Sequence, residues 1–170
     1  MQYEVKNAPL PVLICKLDPN ESIECQKGAM SWMTPTMQMQ TGLGSGAGGL
    51  LGALGKMAKS AVTGESIFRN TYTAQGGAGE IAFASSFPGD IICFDTSVNP
   101  IVAQKSSYLA AMEATCSIDI ETVKGIGNVL MGGEGLFNTK VTGPGKIWLQ
   151  TMPANVLADT IKPFIPTGSN

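Results

Sequence analysis

A chain of 170 residues, 44% of them apolar, is long enough to bury one proper core, and no linker divides it into two self-sufficient halves. Only 14% of the residues are charged and the net charge is −2, which argues against DNA and makes RNA a poor partner, because both demand a basic face. The chain has no His, so a Ser-His-Asp or Cys-His catalytic site and His-based metal sites are excluded.

Met1 to Lys6 shows no basic segment followed by an apolar run, so no signal peptide is expected there. Short strand patterns then dominate. Val12 to Leu17, Ser22 to Cys25 and Met37 to Gln40 are separated by turn residues such as Asp18-Pro19-Asn20. From Gly28 to Gly55 there is no charge at all, and Gly is dense from Gly42 onward. This stretch is too polar and too Gly-rich for a membrane span. It predicts a strand, a Gly loop and a short amphipathic helix from Leu50 to Ala61, with Lys56 and Lys59 off its apolar face. Leu50, Leu51, Leu54 and Met57 are the candidate contact residues for a partner subunit or a membrane surface; packing is the commoner use of such a stripe.

Further strands are predicted at Ile67–Thr73, Glu80–Ala84, Asp90–Phe94, Ile101–Ala103, Cys116–Ile120, Leu136–Thr142 and Lys146–Gln150. Gly76-Gly77 and Gly143-Pro144-Gly145 predict tight reversals between neighbouring strands. Pro153 suits a first helical position, and Val156, Leu157 and Ile161 predict a C-terminal helix over 153–162.

The chain also repeats itself. Thr63-Gly64-Glu65-Ser66-Ile67-Phe68 returns as Gly132-Gly133-Glu134-Gly135-Leu136-Phe137, and each copy runs on through a strand, a Gly turn and a second strand to a Pro. Such a period predicts one supersecondary unit used twice within a single domain, over about 1–89 and 90–155. Gly64, Glu65, Phe68, Gly133, Glu134 and Phe137 are read as a structural motif, because catalysis rarely needs the same carboxylate in each repeat. Gln26-Lys27 and Gln104-Lys105 recur as well.

Other motifs carry less. Gly44-x-Gly46-x-x-Gly49 lacks the parallel βαβ context of a dinucleotide fingerprint. Met30, Met33, Met37 and Met39 are expected to fill core gaps rather than hold copper. The cysteines form no CxxC pair and read as small core residues of a reducing compartment. No cofactor and no metal site are expected.

Leu17-Asp18-Pro19 with Glu21-Ser22-Ile23, Gly28-Ala29-Met30, the two Gly-Glu motifs, Phe87-Pro88-Gly89-Asp90-Ile91 and Gly143 to Gln150 together resemble the mitochondrial "altered inheritance of mitochondria" 24 proteins and their bacterial relatives. The resemblance covers nearly the whole chain. It implies an all-β fold like the tryptophan RNA-binding attenuation protein, assembled as a homo-oligomer, commonly a trimer. It also implies no established catalytic activity, and a link of the mitochondrial members to inner-membrane organisation. Two departures stand out. Asn20 occupies a position that is usually Gly in the family, and one repeat of the longer relatives is missing.

The expected fold is therefore all-β: an antiparallel β-sandwich or double-stranded β-helix with an internal repeat and a short C-terminal helix. The expected function is a non-catalytic, cytoplasmic oligomeric scaffold or binding protein. The alternatives are a membrane-associated organiser using residues 50–61, and an RNA- or small-ligand-binding protein.

Overall fold

The structure, a computed structural model, describes residues 1–42, 69–112, 117–122, 137–152 and 154–165. Among these are thirteen strands: β1 (Gln2–Lys6), β2 (Val12–Leu17), β3 (Ser22–Gln26), β4 (Met30–Met33), β5 (Met37–Gly42), β6 (Arg69–Ala74), β7 (Gly79–Ala84), β8 (Ile91–Asp95), β9 (Ile101–Gln104), β10 (Tyr108–Met112), β11 (Ser117–Thr122), β12 (Phe137–Thr142) and β13 (Lys146–Gln150). One helix, α1 (Ala154–Ile161), follows them and ends in a 3₁₀ turn at Lys162–Phe164. The fold is all-β with a short C-terminal helix, as the strand density of the sequence implies.

The strands form three antiparallel sheets. The first has the order β1-β2-β7-β4, the central sheet β5-β6-β3-β10-β13-β8, and the third β11-β12-β9. Alternation along each strand decides which residues meet. Leu13, Cys15 and Leu17 of β2 and Ile81 and Phe83 of β7 project from the first sheet. They pack with Ile23, Cys25, Tyr72, Ala110 and Trp148 of the central sheet in one core. Ala111 and Ile147, next in line on β10 and β13, point to the opposite face and pack with Val141 of β12 in a second core. The central sheet thus carries a core on each face at β10 and β13, and β10 is buried at four consecutive positions. Tyr3 of β1 sets its ring edge-on to Trp148, with centroids 5.1 Å apart, joining the first and central sheets.

The connections follow one plan twice. β7 lies between β2 and β4, and β6 between β5 and β3; β13 lies between β8 and β10, and β12 between β11 and β9. The registers correspond too. Gln26 pairs with Arg69 where Gln104 pairs with Asn138. A bulge falls between Met30 and Trp32 on β4, and another between Tyr108 and Ala110 on β10. The six strands β2–β7 and the six strands β8–β13 are therefore equivalent units. They are joined through antiparallel pairing of β3 with β10.

Several expectations need correction. The turns at Gly76-Gly77 and Gly143-Pro144-Gly145 do not close hairpins. Each carries the chain from one sheet to another: β6 to β7, from the central sheet to the first, and β12 to β13, from the third to the central. Gly76 (φ 78°) and Gly143 (φ 99°) supply the left-handed backbone these crossings use. Asn20 also has positive φ, at 68°, which explains how Asn can stand in for Gly there: its short polar side chain tolerates that region. Among the four methionines, Met37 is core and Met30 packs against it, but Met33 and Met39 are exposed. Their strands, β4 and β5, are outermost in their sheets and meet the core on one side only. The strands β1, β4 and β10 are additions to the sequence reading.

Candidate functional site

The polar chemistry that is best formed lies inside the molecule. Glu24 of β3 sits in register with Ala111, on the face opposite to Ile23 and Cys25. Arg69 begins β6, the neighbouring strand, and its Nη1 donates to Glu24 Oε2 at 2.7 Å. The pair is nearly sealed from water, with both side chains at least nine-tenths buried. Arg69 Nε and Trp148 Nε1 are buried without a hydrogen-bond partner among the described residues. A buried ion pair of this geometry fixes register between strands more than it adds stability.

Gln150, at the end of β13, ties four segments together. Its amide nitrogen donates to Ser106 O at 2.8 Å and to Gln26 Oε1 at 3.2 Å. Its carbonyl oxygen accepts from Ser86 N at 3.1 Å and from the Ser85 hydroxyl at 3.4 Å. This network is satisfied at both ends and reads as structural. Gln26 and Gln104 recur because each ends an equivalent strand, β3 and β9.

The thiols are quiet. Burial pushes Cys15 and Cys25 up to about 12, so both stay protonated at neutral pH and are poor nucleophiles. The Tyr3 hydroxyl is raised by its hydrogen bond with Cys93 and by burial. Cys15, Cys25 and Cys93 are free thiols. Among the described residues, no three His, Cys, Asp or Glu side chains come together to hold a metal ion.

On the surface, a groove of about 390 Å³ runs along one end of the first sheet, lined by Lys16, Asp18, Thr34 and Glu80 among others. Lys16 Nζ lies 3.8 Å from Glu80 in that groove, an exposed pair of small energetic weight. A further surface feature among the described residues is apolar: Trp32 and Met33 on β4, Met39 on β5 and Val102 on β9 are exposed.

Of the residues singled out from sequence, Gly64, Glu65, Phe68, Gly133, Glu134, Leu50, Leu51, Leu54 and Met57 lie outside the described residues. So do the Gly44-to-Gly49 motif and the predicted helix at 50–61. Phe137 begins β12. The helix predicted over 153–162 is present as Ala154–Ile161, with Val156 and Ile161 of its apolar stripe exposed. Sequence reasoning missed the Glu24–Arg69 pair. Nothing in the local sequence marks Glu24 as buried, and only the sheet order shows that both faces of β3 are covered.

No helix among the described residues is long and apolar enough to cross a membrane. An uncharacterized protein of Streptococcus pyogenes serotype M6, M6_Spy0233, is 30% identical over 146 residues, which is 84% of this chain and 56% of that protein. The chain thus spans about half the length of the curated relative it matches. A solved structure, protein SPYM3_0169 from Streptococcus pyogenes, aligns over 96% of this chain and 99% of that one, with 20% identity and a TM-score of 0.48. The family model described as mitochondrial biogenesis AIM24 matches residues 3–157, and on that near-complete match the chain belongs to the AIM24 family.

Proposed function

We propose that this chain is a non-catalytic β scaffold or binding protein of the cytoplasm that works by associating with copies of itself. The observation that carries the reading is the set of apolar side chains left in water on uncharged outer strands: Trp32, Met33, Met39 and Val102. A chain with so few charges leaves such strands open only if something covers them. The free thiols suit a reducing compartment. A trimer, the assembly implied by the family resemblance, is the first number to test. Sedimentation velocity and native mass across micromolar concentrations should give more than one chain per particle. A single-chain particle throughout would sink the reading.

A second reading is a membrane-associated organiser. It draws on the exposed Val156, Ile161, Phe164 and Ile165 of α1 and its 3₁₀ extension, together with the Leu50, Leu51, Leu54 and Met57 stripe. Flotation with anionic liposomes separates the two readings. Binding lost in a Leu50→Ser/Leu54→Ser variant that still self-associates would favour lipid.

A further inference from the structure

We infer that a second copy of this chain docks head to tail, its β4 adding to the open edge of β9 as β10 adds to β3 within one chain. This rests on the self-association reading above and names its surfaces.

The chain contains the template. Unit one ends its half of the central sheet at β3, and unit two begins its half at β10. The two pair antiparallel, with Cys25 opposite Ala110, Glu24 opposite Ala111 and Ile23 opposite Met112. The equivalent of β3 in unit two is β9, which is outermost in the third sheet. The equivalent of β10 in unit one is β4, which is outermost in the first sheet and carries the same bulge. Among the described residues, each unit therefore leaves without a strand neighbour the edge that the other uses. Repeating the internal step once sets Trp32 of the copy opposite Ala103, Met33 opposite Val102 and Thr34 opposite Ile101.

The chemistry of both edges fits. Outer strands are normally guarded by charge. β1 is guarded in this way: its Glu4 and Lys6 form an ion pair at 2.9 Å. β4 reads Met-Ser-Trp-Met and β9 reads Ile-Val-Ala-Gln, with no charge in either. Val102 is 55% exposed, Trp32 42% and Met33 38%. Pairing β4 with β9 along Ile101–Ala103 extends the sheet and covers these side chains together.

A separate observation points the same way. Leu13 and Ile92 are equivalent residues, paired with Phe83 and Leu149. Leu13 is fully buried, in the core it shares with Trp148 of the next unit, whereas Ile92 is 43% exposed. The same step that places β4 of the copy on β9 brings its Trp32 face over Ile92. The contact is heterologous, so each chain offers one donor end and one acceptor end, and the assembly closes as a ring or extends.

The test uses full-length chain and sedimentation velocity. Val102→Glu and Met33→Lys each put a charge on one side of the proposed register pair. Each single variant should shift the particle toward a single chain, with its far-ultraviolet circular dichroism spectrum unchanged and any drop in thermal midpoint no larger than loss of the partner accounts for. Combining the two changes in one chain should restore assembly, because Glu at 102 then faces Lys at 33 at every contact, whatever the number of chains in the ring. If wild type assembles but the single variants assemble equally well, these edges are not the interface, while self-association stands. If both single variants dissociate and the double variant does not recover, pairing of β9 with β4 is wrong. A wild type that is a single chain at every concentration overturns both this inference and the self-association reading.

Discussion

Glu24 and Arg69 show how one buried residue depends on another. A guanidinium shut between strands is tolerable because a carboxylate lies 2.7 Å away. Glu24→Gln keeps the shape and removes the charge, leaving Arg69 buried and uncompensated. The expected loss is about 3–5 kcal/mol, read from urea unfolding midpoints. Replacing both residues by Met should cost less than the single change, since it removes the stranded charge along with its partner. A single variant as stable as wild type would mean that water reaches the pair. The thiols give a second test. With Cys15 and Cys25 pushed up to about 12 by burial, roughly one thiol in ten thousand is ionised at pH 8. Iodoacetamide should leave both unmodified in the native protein and label both in concentrated urea. Labelling of either under native conditions, located by peptide mass, would show that the first core opens far more often than its packing implies.

At the scale of elements, legibility followed geometry. β2 was readable over Val12–Leu17 because it is a short apolar run closed by the turn residues Asp18-Pro19-Asn20, even though only Leu13, Cys15 and Leu17 are fully buried. β10 was not, since Tyr108 to Ala111 are all buried and a strand covered on both faces shows no period. β1 failed in the opposite way, being exposed throughout. The Gly turns were visible, but whether a turn closes a hairpin or crosses between sheets depends on partners far away in sequence. The open edges of β4 and β9 belong to the same class: their residues are local, while their outermost position is a property of sheet order. Gly79 shows what such a crossing demands. It starts β7 just after the chain leaves the central sheet, and a Cβ there would meet Met37 Sδ closely and come within 3.1 Å of the Thr36 hydroxyl. Met37 is core, so it cannot swing freely away. Gly79→Ala should therefore destabilise by about 1–3 kcal/mol. Gly77→Ala, whose added carbon meets only Thr36 at 3.8 Å, should be far milder. Equal unfolding midpoints for the two variants would show that the β5–β7 contact yields more easily than this packing implies.

For the molecule as a whole, the central sheet decides how the protein unfolds. Neighbouring residues on β10 and β13 serve different cores: Ala110 and Trp148 the first, Ala111 and Ile147 the second. Neither core can lose its packing without disturbing strands that the other uses, so the two cores should not melt separately. A Trp32→Phe background leaves Trp148, fully buried, as the fluorescence probe of the first core. In that background, urea unfolding followed by Trp148 emission and by far-ultraviolet circular dichroism should give coincident transitions. Val141→Ala then removes two buried methyl groups from the second core, in the third sheet. The expected cost is about 1–2 kcal/mol, and it should shift the Trp148 transition by as much as the circular dichroism transition. If the Val141 variant moved the circular dichroism curve and left Trp148 emission in place, the two cores would be separate folding bodies. The shared sheet would then be a joint between them rather than a common core.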